Sequence, residues 1–202
     1  MQGPAKPSPR AWLAADLAVK LVTVALLAWA VFNQNLPQFH DKAFEGRAVA
    51  YPVALLLLPL GWWVFGSRTI RFPFAADILF GLPFLIDVVG NALNLYDTIE
   101  WWDDANHLVN WALHTSAVGL LLRYGGWSRP TRAALAFGYA VTTAVLWEFA
   151  EYVTFVPNSP EAASAYADTL FDLALGMLGG MVAAFVTSRM PAKPARWGHP
   201  PT

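Results

Sequence analysis

Six stretches of this chain stay apolar over roughly 17–25 residues, the length an α-helix needs to cross the hydrocarbon core of a bilayer. They run over about 12–33, 48–66, 75–95, 105–123, 131–155 and 168–188. Lipid offers the backbone no hydrogen bonds, so such stretches are restricted to helices or a closed barrel. Their length is that of helices, and the expected fold is all-α: a polytopic transmembrane bundle of about six spans. Composition agrees, since 56% of residues are hydrophobic and 13% charged, where soluble domains carry about 25% charged residues. Pro37, Pro73, Gly125, Gly126, Pro130, Pro157 and Pro160 punctuate the connections. Prolines also crowd the two ends. Segments 1–10 and 191–202 therefore read as disordered tails around a helical domain over 11–190.

Basic residues set the expected orientation. Lys6, Arg10, Arg68, Arg71, Arg123, Arg129, Arg132, Arg189, Lys193 and Arg196 fall on one side, while Lys42 and Arg47 fall on the other. Both termini are then expected to be cytoplasmic, with loops 34–47, 96–104 and 156–167 facing outward. Ala28-Trp29-Ala30 fits a leader-cleavage pattern, but Asp16 and Lys20 interrupt the apolar run, so the first helix is expected to stay. A net charge of −1 and the lack of a long basic run exclude a nucleic-acid partner. With no cysteine, disulfides and thiolate metal sites are excluded. The partner is the lipid bilayer itself.

Ionisable groups at membrane depth are costly and mark functional sites. Here they recur at helical spacing. Asp87, Asn91 and Asn94 share one face of the third helix. Asp103 and Asp104 precede His107 by one turn at the mouth of the fourth helix, and His114 lies deeper. Glu148 and Glu151 are three apart on the fifth, and Asp168 and Asp172 are four apart on the sixth. Two of these helices point outward and two inward, yet all their acids sit in the outer third. One cluster is expected. Gly176, Gly179 and Gly180 follow on the last helix and allow a close helix approach.

Seven carboxylates cannot all ionise together in a low-dielectric pocket. With Lys42, Arg47, Lys20 and two histidines the only basic residues near that depth, protons or bound cations are favoured as compensation. An oxygen-rich set with one or two imidazoles suits Mg²⁺, Mn²⁺, Ca²⁺, Fe or Zn²⁺. The expected ligands of a divalent metal ion are Asp103, Asp104, His107, Glu148, Glu151, Asp168 and Asp172. Asp87, Asn91, Asn94 and His114 would surround them. Each residue also has an ordinary reading. Asp103, Asp104 and Asp168 suit helix caps, Glu148, Glu151, Asp87, Asn91 and Asn94 suit interhelical bonds, and His114 suits a neutral core histidine. Asp16 and Lys20, one turn apart, read as a structural pair near the inner interface.

The order Asp87, Asn91, Tyr96, Trp102-Asp103-Asp104, His107, then Trp147-Glu148-Phe149-Ala150-Glu151, then Asp168 to Asp172 with Gly176, resembles the YjdF-type bacterial inner-membrane proteins. The resemblance covers the third to sixth helices and implies a multi-span membrane protein without implying a reaction. More loosely, the same acidic order looks like the VanZ-like proteins, although Ala174 and Leu175 stand where those chains carry an Asn.

Three functions fit these residues. One is metal-dependent hydrolysis of a lipid-linked or envelope substrate, with Glu148 or Glu151 as general base and His107 as ligand or acid. The sequence places no Arg beside the acids, which counts against metal-free phosphate chemistry. Another is proton- or cation-coupled transport, against which the inner half holds few polar residues. The last is a non-catalytic envelope or resistance factor. No G-x-S-x-G, H-E-x-x-H or P-loop pattern is present. Residues 34–47 are long enough to fold over the site.

Overall fold

The computed structural model describes residues 7–67, 69–154, 156 and 160–193. Seven α-helices organise them: α1 (Pro9–Phe32), α2 (Phe44–Gly61), α3 (Phe74–Ala92), the short α4 (Leu95–Thr98), α5 (Trp102–Leu122), α6 (Arg129–Thr154) and α7 (Ala165–Arg189). No strand occurs among the described residues. Five of the helices are long and apolar enough to cross a membrane: α1, α2 with its π-helical continuation to Gly66, α3, α6 and α7. The chain is a multi-pass helical membrane protein.

Helix α5 departs from that pattern for a physical reason. It has 21 residues, but Asn106, His107, Asn110 and His114 make it too polar to count by composition. It packs against α3, α6 and α7, and its contact with α7 is the most extensive helix pairing in the protein. A helix walled by protein need not present an apolar surface all round. Polar side chains can sit on such a helix because much of its surface is covered by its neighbours.

Glycine makes the α5–α7 contact possible. A Cβ at Gly179 would lie 2.1 Å from the backbone oxygen of Leu108, and one at Gly176 would lie 2.6 Å from the Trp111 ring. The two backbones touch directly, as small residues permit in lipid, and the glycine run read from the sequence serves this purpose.

Several helix ends follow from their caps. Helix α1 starts at Pro9, where a missing N–H costs nothing, and Ser8 Oγ accepts from the Ala11 N–H at 3.2 Å. Pro9 and Arg10 thus sit inside a helix rather than in a loose tail. The expected tail segments 1–6 and 194–202 lie outside the described residues. Residues 191–193 are non-helical and tied down. Arg123 Nε donates to the Pro191 carbonyl at 2.8 Å, and the Lys193 N–H donates to the Arg123 carbonyl at 2.9 Å. Buried Arg132 donates to the carbonyls of Ser188 at 2.7 Å and Met190 at 3.1 Å. It closes the C-terminal end of α7, where orphan carbonyls and the helix dipole favour a cation.

At the opposite end of the bundle, Leu27, Ala30, Phe39, Phe44, Tyr51 and Val88 form the apolar core. Phe39 packs edge-on against both Trp29 and Phe44, with centroids 4.9 and 5.1 Å apart. The 33–43 connection is therefore pinned into the bundle through Phe39.

Candidate metal centre

Helix α5 delivers His107 to the middle of the site, with the imidazole 6% exposed. Asp103 lies one turn earlier, its Oδ1 3.8 Å from His107 Nε2. From α7, Asp172 Oδ1 comes within 3.7 Å of the same nitrogen. From α6, Glu148 Oε1 lies 3.6 Å from the other nitrogen, Nδ1. Two groups of ligand atoms result, each mutually within 4.8 Å: Asp103, His107 and Asp172, and His107, Glu148 and Glu151. Either arrangement could hold a metal ion.

The spacing says more than the clustering. Among the described residues, His107 Nδ1, Glu148 Oε1 and Asp172 Oδ1 are all buried without a hydrogen-bond partner. Buried polar atoms are nearly always paired, and leaving one unpaired costs about 1–3 kcal/mol. Separations of 3.6–3.8 Å are too long for a hydrogen bond. Around a cation with bonds near 2.0–2.2 Å, neighbouring ligand atoms sit about 3–3.5 Å apart. His107 Nε2 stands only a few tenths of an ångström beyond that spacing from Asp103 Oδ1 and Asp172 Oδ1.

One neutral imidazole binds a metal through one nitrogen, while the other carries the proton. The two groups therefore share His107 in unequal roles. Nε2 faces Asp103 and Asp172, so Nδ1–H would point at Glu148. With an ion on Nε2, this would be a carboxylate–histidine–metal arrangement, in which an outer carboxylate fixes the tautomer and orientation of the ligand.

The expected single pocket holds for part of the set. The structure brings Asp103, His107, Glu148, Glu151 and Asp172 together from three helices. Asp104 and the exposed Asp168 stand beside this group but belong to neither ligand set. His114 lies deeper, among Phe80, Phe84 and Trp111, with ring centroids 4.8, 5.4 and 5.6 Å away. Asn94 does not extend the face of Asp87 and Asn91. Helix α3 stops at Ala92, and Asn94 adopts a left-handed φ of 58° to start α4. Asn is among the few residues that accept that conformation readily.

Asp87 has its own partners. Arg47 Nη1 donates to both of its oxygens at 2.8 and 2.7 Å. Tyr51 Oη donates at 2.7 Å, Tyr96 Oη at 3.1 Å and Asn91 Nδ2 at 3.3 Å. Burial pushes the Tyr96 phenol well above its ordinary range, so it remains a donor. Asp87 is thus a saturated carboxylate and not a spare ligand. This pairing also corrects the expectation of a site without arginine, because Arg47 lines the same cavity as Glu148 and Glu151. The available signal was that Arg47 is one of two outer basic residues, with Tyr51 one turn later. Lys42 lines the cavity as well and pairs with Asp97 of α4 at 2.8 Å.

The site opens into a cavity of about 930 Å³. Its lining follows α5 from Asp103 to Leu121 and includes Leu57, Leu58 and Tyr139. Charged groups are confined to the end nearest the carboxylates.

No curated protein and no solved structure matches the chain at a significant level. The VanZ likeness finds no support in these comparisons. The family model described as "Predicted membrane protein (DUF2238)" matches residues 15–193 and takes in every helix that builds the site. With nearly the whole chain matched, this protein belongs to that family, the one the YjdF-type resemblance names.

Proposed function

We propose that the protein is a six-span bacterial inner-membrane hydrolase of a lipid-linked or envelope substrate, using a divalent cation near the outer face. The observation that carries this reading is the set of buried, unpartnered atoms converging on His107 from α6 and α7. Asp103, His107 Nε2 and Asp172 hold the ion. Glu148 orients His107, and Glu148 and Glu151 lie where a general base is needed. A cation there would polarise the substrate and lower the pKa of a bound water.

Helix α5 supplies the sixth span, and the basic residues clustered at one end of the bundle support cytoplasmic termini. Hydrolysis is favoured over transport because Asp16 and Asp77 are both paired with Lys20. Those two inner acids are then not free to serve as stations on a through-path. Arg47 removes the earlier objection to phosphate chemistry.

The test is metal content after gentle purification. About one ion per chain is expected in the wild type and a loss in His107→Ala and Asp172→Asn. Glu148→Gln should keep the ion and lose hydrolysis. A wild-type protein free of divalent metal would end this reading.

A further inference from the structure

We infer that the cavity seats a membrane lipid with a phosphate-bearing head, its aliphatic chain lying between α2 and α6 and its head between Arg47 and the carboxylates. This rests on the proposed hydrolase reading and names the substrate class for it.

Three observations carry the inference. The first is shape. The lining follows α5 from Asp103 to Leu121, about 27 Å at 1.5 Å per residue, close to the roughly 30 Å hydrocarbon core. Beyond the charged end the walls are apolar, supplied by Leu57, Leu58, Phe65, Val118 and Leu146.

The second is access. Helix α2 packs on α1 and α3, and α6 packs on α5 and α7; extensive packing between α2 and α6 is not found among the described residues. They approach where the Tyr51 and Trp147 rings lie 6.5 Å apart. Leu57, Phe65 and Leu146 line the cavity yet are exposed. The groove therefore opens sideways toward lipid, where a chain can enter without crossing the polar end.

The third is charge. Among the described residues Arg47 engages Asp87 through Nη1, and no further acceptor of its guanidinium is found there. Lys42 lines the same end. Asp103, His107, Glu148 and Glu151 line the cavity with them. An arginine edge facing an ion-binding group suits a phosphate, which accepts from guanidinium and offers oxygen to a divalent cation.

The experiment uses full-length protein in phosphatidylcholine nanodiscs with a phosphatidylglycerol carrying a diazirine in one acyl chain. Irradiation should label Leu58, Val118 and Tyr139. Leu57→Trp at the exposed mouth, and Val118→Trp on the floor, should each cut that labelling at least fivefold while metal content and melting temperature hold. The same diazirine chain on phosphate-free diacylglycerol should label at least fivefold less. Soluble glycerol phosphate at equal concentration should not compete. Labelling scattered over outward positions such as Val22 and Val182, unchanged in Leu57→Trp, would overturn the lipid seat. Equal labelling by diacylglycerol would overturn the phosphate assignment, and displacement by glycerol phosphate would overturn the lipid source. Metal content separates the two claims. A metal-free protein that still labels removes the hydrolase reading alone, and a metal-loaded protein that labels nowhere in the groove removes this inference alone.

Discussion

Two groups of buried acids sit in different parts of the bundle, and the protein treats them differently. Between α1 and α3, Lys20 bonds Asp16 at 2.8 Å and also bonds Asp77. Each of these acids has at least one oxygen on an ammonium. Between α5, α6 and α7, Glu148 Oε1, Asp172 Oδ1 and His107 Nδ1 have no partner, and no Lys or Arg bonds them among the described residues. Burial is the same in both places: Asp77 is 2% exposed and Asp172 is 3% exposed. Burial alone therefore does not distinguish an acid paired within the fold from a candidate metal ligand. Provision of a countercharge does. Where the fold supplies a cation of its own, the acid ties helices together; where it supplies none, the acids and His107 form a group that could hold a metal ion.

The sharpest way to break this contrast is Lys20→Met. It would strand two buried carboxylates, and removing one partner of a buried pair costs about 3–5 kcal/mol. A fall of that order is expected in unfolding in detergent; a neutral result would mean that Lys20 does not compensate the pair. Asp87→Asn comes next. It leaves Arg47 without its charge partner but keeps the amide available to Tyr51 and Tyr96, so about 2–3 kcal/mol is expected by the same measurement.

Gly179→Ala should cost about 1–3 kcal/mol, because its Cβ must push α7 away from the Leu108 carbonyl. It should also lower metal content, since it separates His107 from Asp172. Unchanged metal binding in this variant would show that the seam does not set the site. Asp172→Asn completes the contrast. Its stability without metal should change by less than about 1 kcal/mol, since Oδ1 has no hydrogen-bond partner among the described residues to lose, while ion binding weakens at least tenfold in a competition titration. A large loss of apo stability would put Asp172 in the same class as Asp77.

Much of this was legible from residue spacing. The four-residue step from Asp103 to His107 and the three-residue step from Glu148 to Glu151 place each pair on one helix face, and each pair does meet. Gly176 and Gly179 announced the close seam for the same reason: periodicity carries over when the helix continues. Asn94 shows where that reasoning stops. Its position on the face of Asp87 assumed three more helical residues, but α3 ends at Ala92. Arg47 shows a second limit. It bonds Asp87 from 40 residues away, and nothing local in either helix specifies that pairing. The nearness of His107 to Asp103 was legible, but its two nitrogens facing different carboxylates depends on the relative rotation of α5, α6 and α7. Tertiary packing alone sets that rotation.

If an ion binds between Asp172 and His107, the closeness of Gly179 to the Leu108 carbonyl bears on its size. Side chains can swing to suit a guest, but two backbones already in van der Waals contact cannot come nearer. The seam therefore sets a lower limit on how closely α7 can carry Asp172 toward His107. An ion of small radius would have to draw these ligands inward against that stop, whereas a larger one would meet them where they stand. The glycines would then act as a gauge block, with discrimination between metals held by the main chain and with widening, not loosening, the first effect of any added methyl group.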